Sequence, residues 1–100
     1  MNELEQVRRF LKVISRAYSF EIISFTHSRP RTAPEISDFL KTPYTTVKTR
    51  LNELIEIGAL DVSSEKQPNL TKHKIVYKSK DFFLELDPRR ISELCLHKNQ

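Results

Sequence analysis

Glycine is nearly absent from this chain: Gly58 stands alone among 100 residues. A loop that cradles a nucleotide phosphate with backbone N–H groups needs several glycines, so nucleotide-dependent enzymes of that kind are excluded. Cysteine is equally scarce. Cys95 by itself rules out an internal disulfide framework and a cysteine-based metal cluster. The three histidines are dispersed, so neither a metal site nor a Ser-His-Asp arrangement can be argued from them. Carboxylates are plentiful, but no pair is singled out for acid-base work. The expectation is a non-enzyme with no cofactor and no metal. No apolar run approaches the ~20 residues that span a membrane. The start, MNELEQVRRF, lacks the apolar core of a signal peptide. A cytoplasmic protein with no membrane partner is expected.

What is present fits one domain, residues 1–100, with 38% hydrophobic and 30% charged residues. A chain this short buries a modest core, and dimerisation would help it. The net charge is +4, which says little until its distribution is read. Lys66, Lys72, Lys74, Lys78 and Lys80 fall in a stretch without an acid. A local basic excess is the electrostatic footprint of phosphate binding.

The most organised stretch is Thr32 to Leu60, TAPEISDFLKTPYTTVKTRLNELIEIGAL. Thr32 and Glu35 have the spacing of a capping box, and Pro34 suits a first helical turn. Ile36, Phe39 and Leu40 make one apolar face. Lys41-Thr42-Pro43 ends that helix, because the residue before proline avoids helical geometry. Thr42 is read as the cap of the next helix, with Pro43 at its first position. Val47, Leu51, Leu54 and Ile55 line one face of it, and Gly58 stops it. Its other face carries Tyr44, Thr45, Thr46, Lys48, Thr49 and Asn52, with no acid between Thr42 and Asn52. Short polar groups and a cation at a helix N-terminus suit base edges and phosphates in a major groove. A plain solvated face has the same composition. The short helix, tight turn and acid-free second helix together favour a helix-turn-helix.

Before this unit, residues 2–18 read as a helix with a seam of Leu4, Val7, Leu11, Ile14 and Tyr18, widened by Phe10. The seam suits packing on its own core or against a second subunit. Ser19 is read as the cap of a helix from Phe20 to about His27, with Ile22, Ile23 and Phe25 in the core. Ser28-Arg29-Pro30-Arg31 is a basic turn whose following residues can pair briefly with a later strand. After Gly58, residues 59–63 alternate like a strand, Pro68-Asn69 signals a turn, and His73 to Ser79 reads as a second strand. In that strand Ile75 and Tyr77 are expected to face the core, and Lys74, Val76, Lys78 and Lys80 the solvent. The lysines fit phosphate contact, and they also fit protection of a sheet edge. Asp81 to Leu86 is apolar enough to be buried, as an extended crossing or a third short strand. Asp87-Pro88 starts a last helix, residues 87–98, with Ile91, Leu94 and Cys95 on one face. The apolar flanks of Cys95 suggest a packed thiol.

The order helix, helix, helix-turn-helix, hairpin defines a mainly α fold with a β-hairpin (α+β), a winged helix-turn-helix. The core stretch resembles ArsR/MarR-like winged-helix transcription regulators. Glu35-Ile36 and Leu40 match the family's first helix, and Thr46-Val47, Leu51, Leu54, Gly58 and Leu60 match the second helix and its exit. The compact form is similar to small regulators of archaea and archaeal viruses, where the location would be the host cytoplasm. The metal-sensing members' paired cysteines or histidine clusters are missing, and Lys41 stands where the family commonly has glycine. The resemblance implies double-stranded DNA as partner and a homodimer formed by the terminal helices, residues 2–18 and 87–98. Residues about 43–57 are then a recognition helix in the major groove, and residues about 60–80 a basic wing on the backbone or minor groove. Thr45, Thr49 and Asn52 are the choices for base edges, beside Thr46, with Tyr44 and Lys48 for phosphate or base. Lys66, Lys72, His73 and Lys74 are assigned to the wing tip, with Arg29 and Arg31 as weaker phosphate contacts. Leu4, Val7, Leu11, Ile14, Ile91, Leu94 and Cys95 are assigned to the dimer seam. There an intersubunit disulfide through Cys95 competes with a free thiol. The alternative function is a winged-helix module that binds protein in a transcription or replication assembly.

Overall fold

The computed structural model describes residues 2–66 and 73–97. Pro68-Asn69, Lys72 and Lys98 lie outside the described residues. The elements are α1 (Glu3–Ile14), α2 (Ser19–Ser28), α3 (Ala33–Leu40), α4 (Tyr44–Glu56), β1 (Leu60–Lys66), β2 (His73–Ser79) and α5 (Pro88–His97).

Asn2 caps α1, its side-chain oxygen accepting from the Glu5 N–H at 2.8 Å. This helix does not run to residue 18. It ends at Ile14, and Tyr18 takes a left-handed conformation, φ 73°, as the cap of α2. The Ser19 hydroxyl is therefore no cap. It donates to the Val13 carbonyl at 2.8 Å, buried in the corner. The corner lets Val13 and Ile22, both fully buried, reach the same core. The seam turns with it. Val13 is inside, Val7 and Ile14 are half-buried, and Leu11 is 40% exposed.

At α3 the capping box forms as the spacing predicts: the Thr32 hydroxyl accepts from the Glu35 N–H, and Glu35 accepts from the Thr32 N–H. Lys41 then adopts φ 52°, the left-handed position that glycine usually fills. Thr42 does not cap α4. Its hydroxyl donates back to the Leu40 carbonyl, and Pro43 holds the cap position without a side-chain bond. Gly58, φ 81°, ends α4, and Ala59 N–H closes on the Leu54 carbonyl.

The core gathers Val13, Ile22, Ala33, Ile36, Val47, Leu51, Leu54, Ala59, Leu60 and Tyr77. The antiparallel hairpin pairs Leu60 with Ser79, Val62 with Tyr77 and Lys66 with His73. Arg31 adds a one-residue bridge to Tyr77, with N–H···O bonds in both directions. Flanked by β1 and Arg31, with α2 packed against it, β2 buries two successive residues, Val76 and Tyr77. The expectation for Ile75 and Val76 is thus reversed: Val76 is 3% exposed and Ile75 50%. Ile75 sits farther up the hairpin, on the wall of an open groove facing the N-terminal ends of α3 and α4.

Asp81 to Leu86 crosses the surface as an extended strap and is not buried as expected. Phe82 packs edge-on against Phe10, only Leu84 is half-buried, and Phe83 stands exposed. Asp87 caps α5, its carboxylate accepting from the Arg90 N–H at 2.7 Å. α5 packs on α1, with Leu4 and Leu94 buried and Arg90 paired to Glu3. Cys95 is exposed, not packed.

Candidate nucleic-acid interface

α4 offers two adjacent stripes on its polar side. Thr45, Thr49 and Asn52, spaced by four and three residues, form the first. The Thr49 hydroxyl donates to the Thr45 carbonyl, which leaves its oxygen lone pairs and methyl group facing out. Tyr44, exposed, and Lys48, half-buried, form the second, next to the wing, and Thr46 is exposed on the far side of the first. The first turn of α4 has no acid and no side-chain cap, so its unpaired N–H groups and the positive end of the helix dipole are uncovered.

Lys48 is not a free surface cation. Its ammonium lies 2.8 Å from the Tyr77 hydroxyl and 5.4 Å from the ring centre, and the hydrogen bond holds its pKa above the ordinary lysine value. Between the N-terminal ends of α3 and α4 and strand β2 runs a groove of about 290 Å³, lined by Tyr44, Lys48, Lys74, Ile75 and Tyr77.

On the wing, Lys66 and His73 face each other across the register and are exposed. The register also sets Glu65 opposite Lys74, 3.9 Å apart, and Asp61 opposite Lys78. The acid-free run is thus partly neutralised by its partner strand, which a linear reading of one strand does not reveal. Arg29 is exposed and 3.4 Å from Glu35. Arg31 is committed to the protein. Its Nε donates to the Phe25 carbonyl, its Nη2 to the Ser28 hydroxyl, and its guanidinium covers the Phe25 ring, which stacks on Phe39. The Thr32 backbone N–H holds the Glu35 carboxyl below its usual pKa against an opposing burial cost, helped by the Thr32 hydroxyl and the two arginines.

Two groups escaped the sequence reading. One is the Tyr77 hydroxyl, whose signal was a tyrosine at a core position where phenylalanine would pack as well. The other is the clamp behind α4. Glu53 accepts from Arg16 at 2.5 Å and from Arg50, while Arg50 Nε donates to the Ala17 carbonyl. It fixes α4 against the α1–α2 corner. A second groove of about 570 Å³ lies at the far end of α4, lined by Val7, Phe10, Ile57, Phe83 and Leu84, with Arg9 and Arg90 at its edge. Among the described residues, no cluster of His, Cys, Asp or Glu can hold a metal, and no helix is long and apolar enough to cross a membrane.

Two helices joined by Lys41, Thr42 and Pro43, the second exposed along a polar face and followed by a hairpin, make a winged helix-turn-helix, five helices and a two-stranded wing. No family model matches the sequence, and no curated protein is similar to it. Among solved structures, the chain is similar to the solution NMR structure of a homodimeric winged helix-turn-helix DNA-binding domain from Mycobacterium bovis, a possible ArsR-family transcriptional regulator. The TM-score is 0.60 at 17% identity, covering 96% of this chain and 78% of that one. The two share a fold.

Proposed function

We propose that this protein is a sequence-specific double-stranded DNA-binding transcription regulator, without catalytic activity, that works as a homodimer. The observation that carries the proposal is the uncapped, acid-free start of α4 with Thr45, Thr49 and Asn52 exposed in one stripe. Such a stripe suits base edges in a major groove, and Lys66 and His73 on the wing suit the neighbouring backbone. Lys72 belongs to the same proposed wing set.

The dimer reading draws on the homodimeric state of the Mycobacterium bovis domain and on the apolar side chains left uncovered. Leu11, Phe83, Leu86, Ile91 and Leu96 are 39–86% exposed on α1, the strap and α5. Leu4 and Leu94, already buried within one chain, act by holding α5 on α1. A two-fold dimer sets recognition helices about one DNA turn apart, ~34 Å, and reads a palindrome. An archaeal or viral source rests on the compactness of the chain alone, and the fold match is bacterial. The alternative, a protein-binding winged helix, is favoured by the wing's paired charges, Glu65 with Lys74 and Asp61 opposite Lys78.

Binding to a short random-sequence duplex across a salt series tests the proposal. Affinity that falls steeply and linearly with log salt supports DNA binding, and selection from a random library then yields the site. Absence of salt-dependent binding leaves the protein-binding alternative.

A further inference from the structure

The groove between α3, α4 and β2 contains more hydrogen-bond donors than the protein uses. In the 2.8 Å contact between Lys48 and Tyr77 the ammonium has protons to give and no lone pair, so the phenol oxygen is the acceptor. The phenol's own proton is left over, and among the described residues no protein atom accepts it. Tyr77 is 2% exposed and lines the groove together with Lys48, its hydrogen-bond partner. Lys74 lines the same groove. Its contact with Glu65 is long, at 3.9 Å, and both side chains are more than 40% exposed, which leaves the amine free to turn. Among the described residues, no carboxylate lines the groove. The phenol's spare proton, the remaining protons of the Lys48 ammonium and the loosely held Lys74 amine together describe a seat for an anion.

We infer that this groove seats one phosphate of the DNA backbone, gripped by Lys48, Lys74 and the Tyr77 hydroxyl; the inference rests on the DNA-binding proposal above. A phosphate oxygen accepts the phenol's proton while the two amines neutralise its charge. The groove runs beside the exposed stripe of α4, where the backbone of a duplex lying on Thr45, Thr49 and Asn52 passes. Lys48, held by Tyr77, is therefore a backbone contact and not a base reader. Tyr77 has two tasks: it positions Lys48 and touches the phosphate itself. Ala33 and Ile75 contribute neutral walls that let the backbone approach without displacing a charge.

The test is fluorescence anisotropy of the full chain on a random-sequence duplex over a series of KCl concentrations, with melting curves for each variant. Lys48→Ala and Lys74→Ala are each expected to flatten the salt slope by about one. Tyr77→Phe keeps its ring in the core and removes no charge. It is expected to weaken binding about three- to tenfold at every salt concentration, with an unchanged slope. Should Tyr77→Phe melt early, Lys48→Ala decides the matter by its slope, since that change leaves the buried Tyr77 ring in place. Wild-type slopes in both lysine variants and wild-type affinity in Tyr77→Phe would overturn the phosphate seat while DNA binding stands. No salt-dependent binding by the wild type would instead remove the DNA reading, and the inference with it.

Discussion

The Glu53 carboxylate accepts from Arg16 at 2.5 Å, and so joins the middle of α4 to the corner between α1 and α2. Arg50 holds the same carboxylate, and Arg9 stands 3.9 Å away. With its side chain 13% exposed, Glu53 lies between the surface and buried cases of ion pairing. Glu53→Gln leaves Arg16 and Arg50 without a counter-charge in a partly dry site. A loss of roughly 2 kcal/mol of stability is expected, above that of a surface pair and below that of a buried one. Urea unfolding measures it, and a change under 0.5 kcal/mol would reduce the clamp to a surface ornament.

Lys41 sits at φ 52°, where a side chain costs about 1–2 kcal/mol and glycine costs nothing sterically. Lys41→Gly recovers that strain and gives back part of it as unfolded-chain entropy. A net gain of about 0.5–1 kcal/mol is expected in thermal or chemical unfolding. A destabilised variant would mean that the Lys41 side chain makes a favourable contact outweighing its backbone.

Asn52→Ala and Thr45→Ala are expected to cost ~1–3 kcal/mol each on a selected site and little on random DNA. Lys66→Ala is expected to weaken both equally and to reduce the salt slope by about one. Equal losses on both DNAs for Asn52→Ala would assign that residue to the backbone.

The lowered pKa of Glu35 carries a sign. Its folded value lies below the unfolded one, so the stabilisation is complete above the unfolded pKa, about 4.5, and is lost as pH falls through the folded value. Acid titration of stability should therefore be flatter below about pH 4.5 in Glu35→Gln than in the wild type. Parallel curves would place the acid sensitivity elsewhere.

Sedimentation equilibrium tests the dimer and the disulfide together. The expected result is a dimer at micromolar protein with and without reductant, since the exposed apolar set needs no covalent link. Phe83→Ser with Ile91→Ser is expected to shift it to monomer. A dimer that survives both changes has its seam elsewhere, and one lost only in reductant is held by Cys95.

Features closed within one helical turn were legible from the residues alone. The Thr32–Glu35 box, the Asp87-Pro88 start of α5, the Gly58 stop and the apolar face of α4 each depend on neighbours three or four positions apart, whereas on α3 Ile36 and Leu40 turn inward as expected but Phe39 stays 55% exposed, stacked on Phe25. The exposed stripe of α4 followed from the same periodicity, as the complement of its buried one. The tertiary structure decided what depends on distant partners. Tyr18 turns left-handed because Val13 and Ile22 must meet in one core. Val76 goes inside and Ile75 outside because burial along β2 is set by where α2 and Arg31 lie against it. Arg31 leaves the surface for the Phe25 ring, and Lys48 is drawn to Tyr77 across 29 positions of chain. A cation's availability to a phosphate depends on the groups facing it, and these are brought together only when the hairpin closes on the helices.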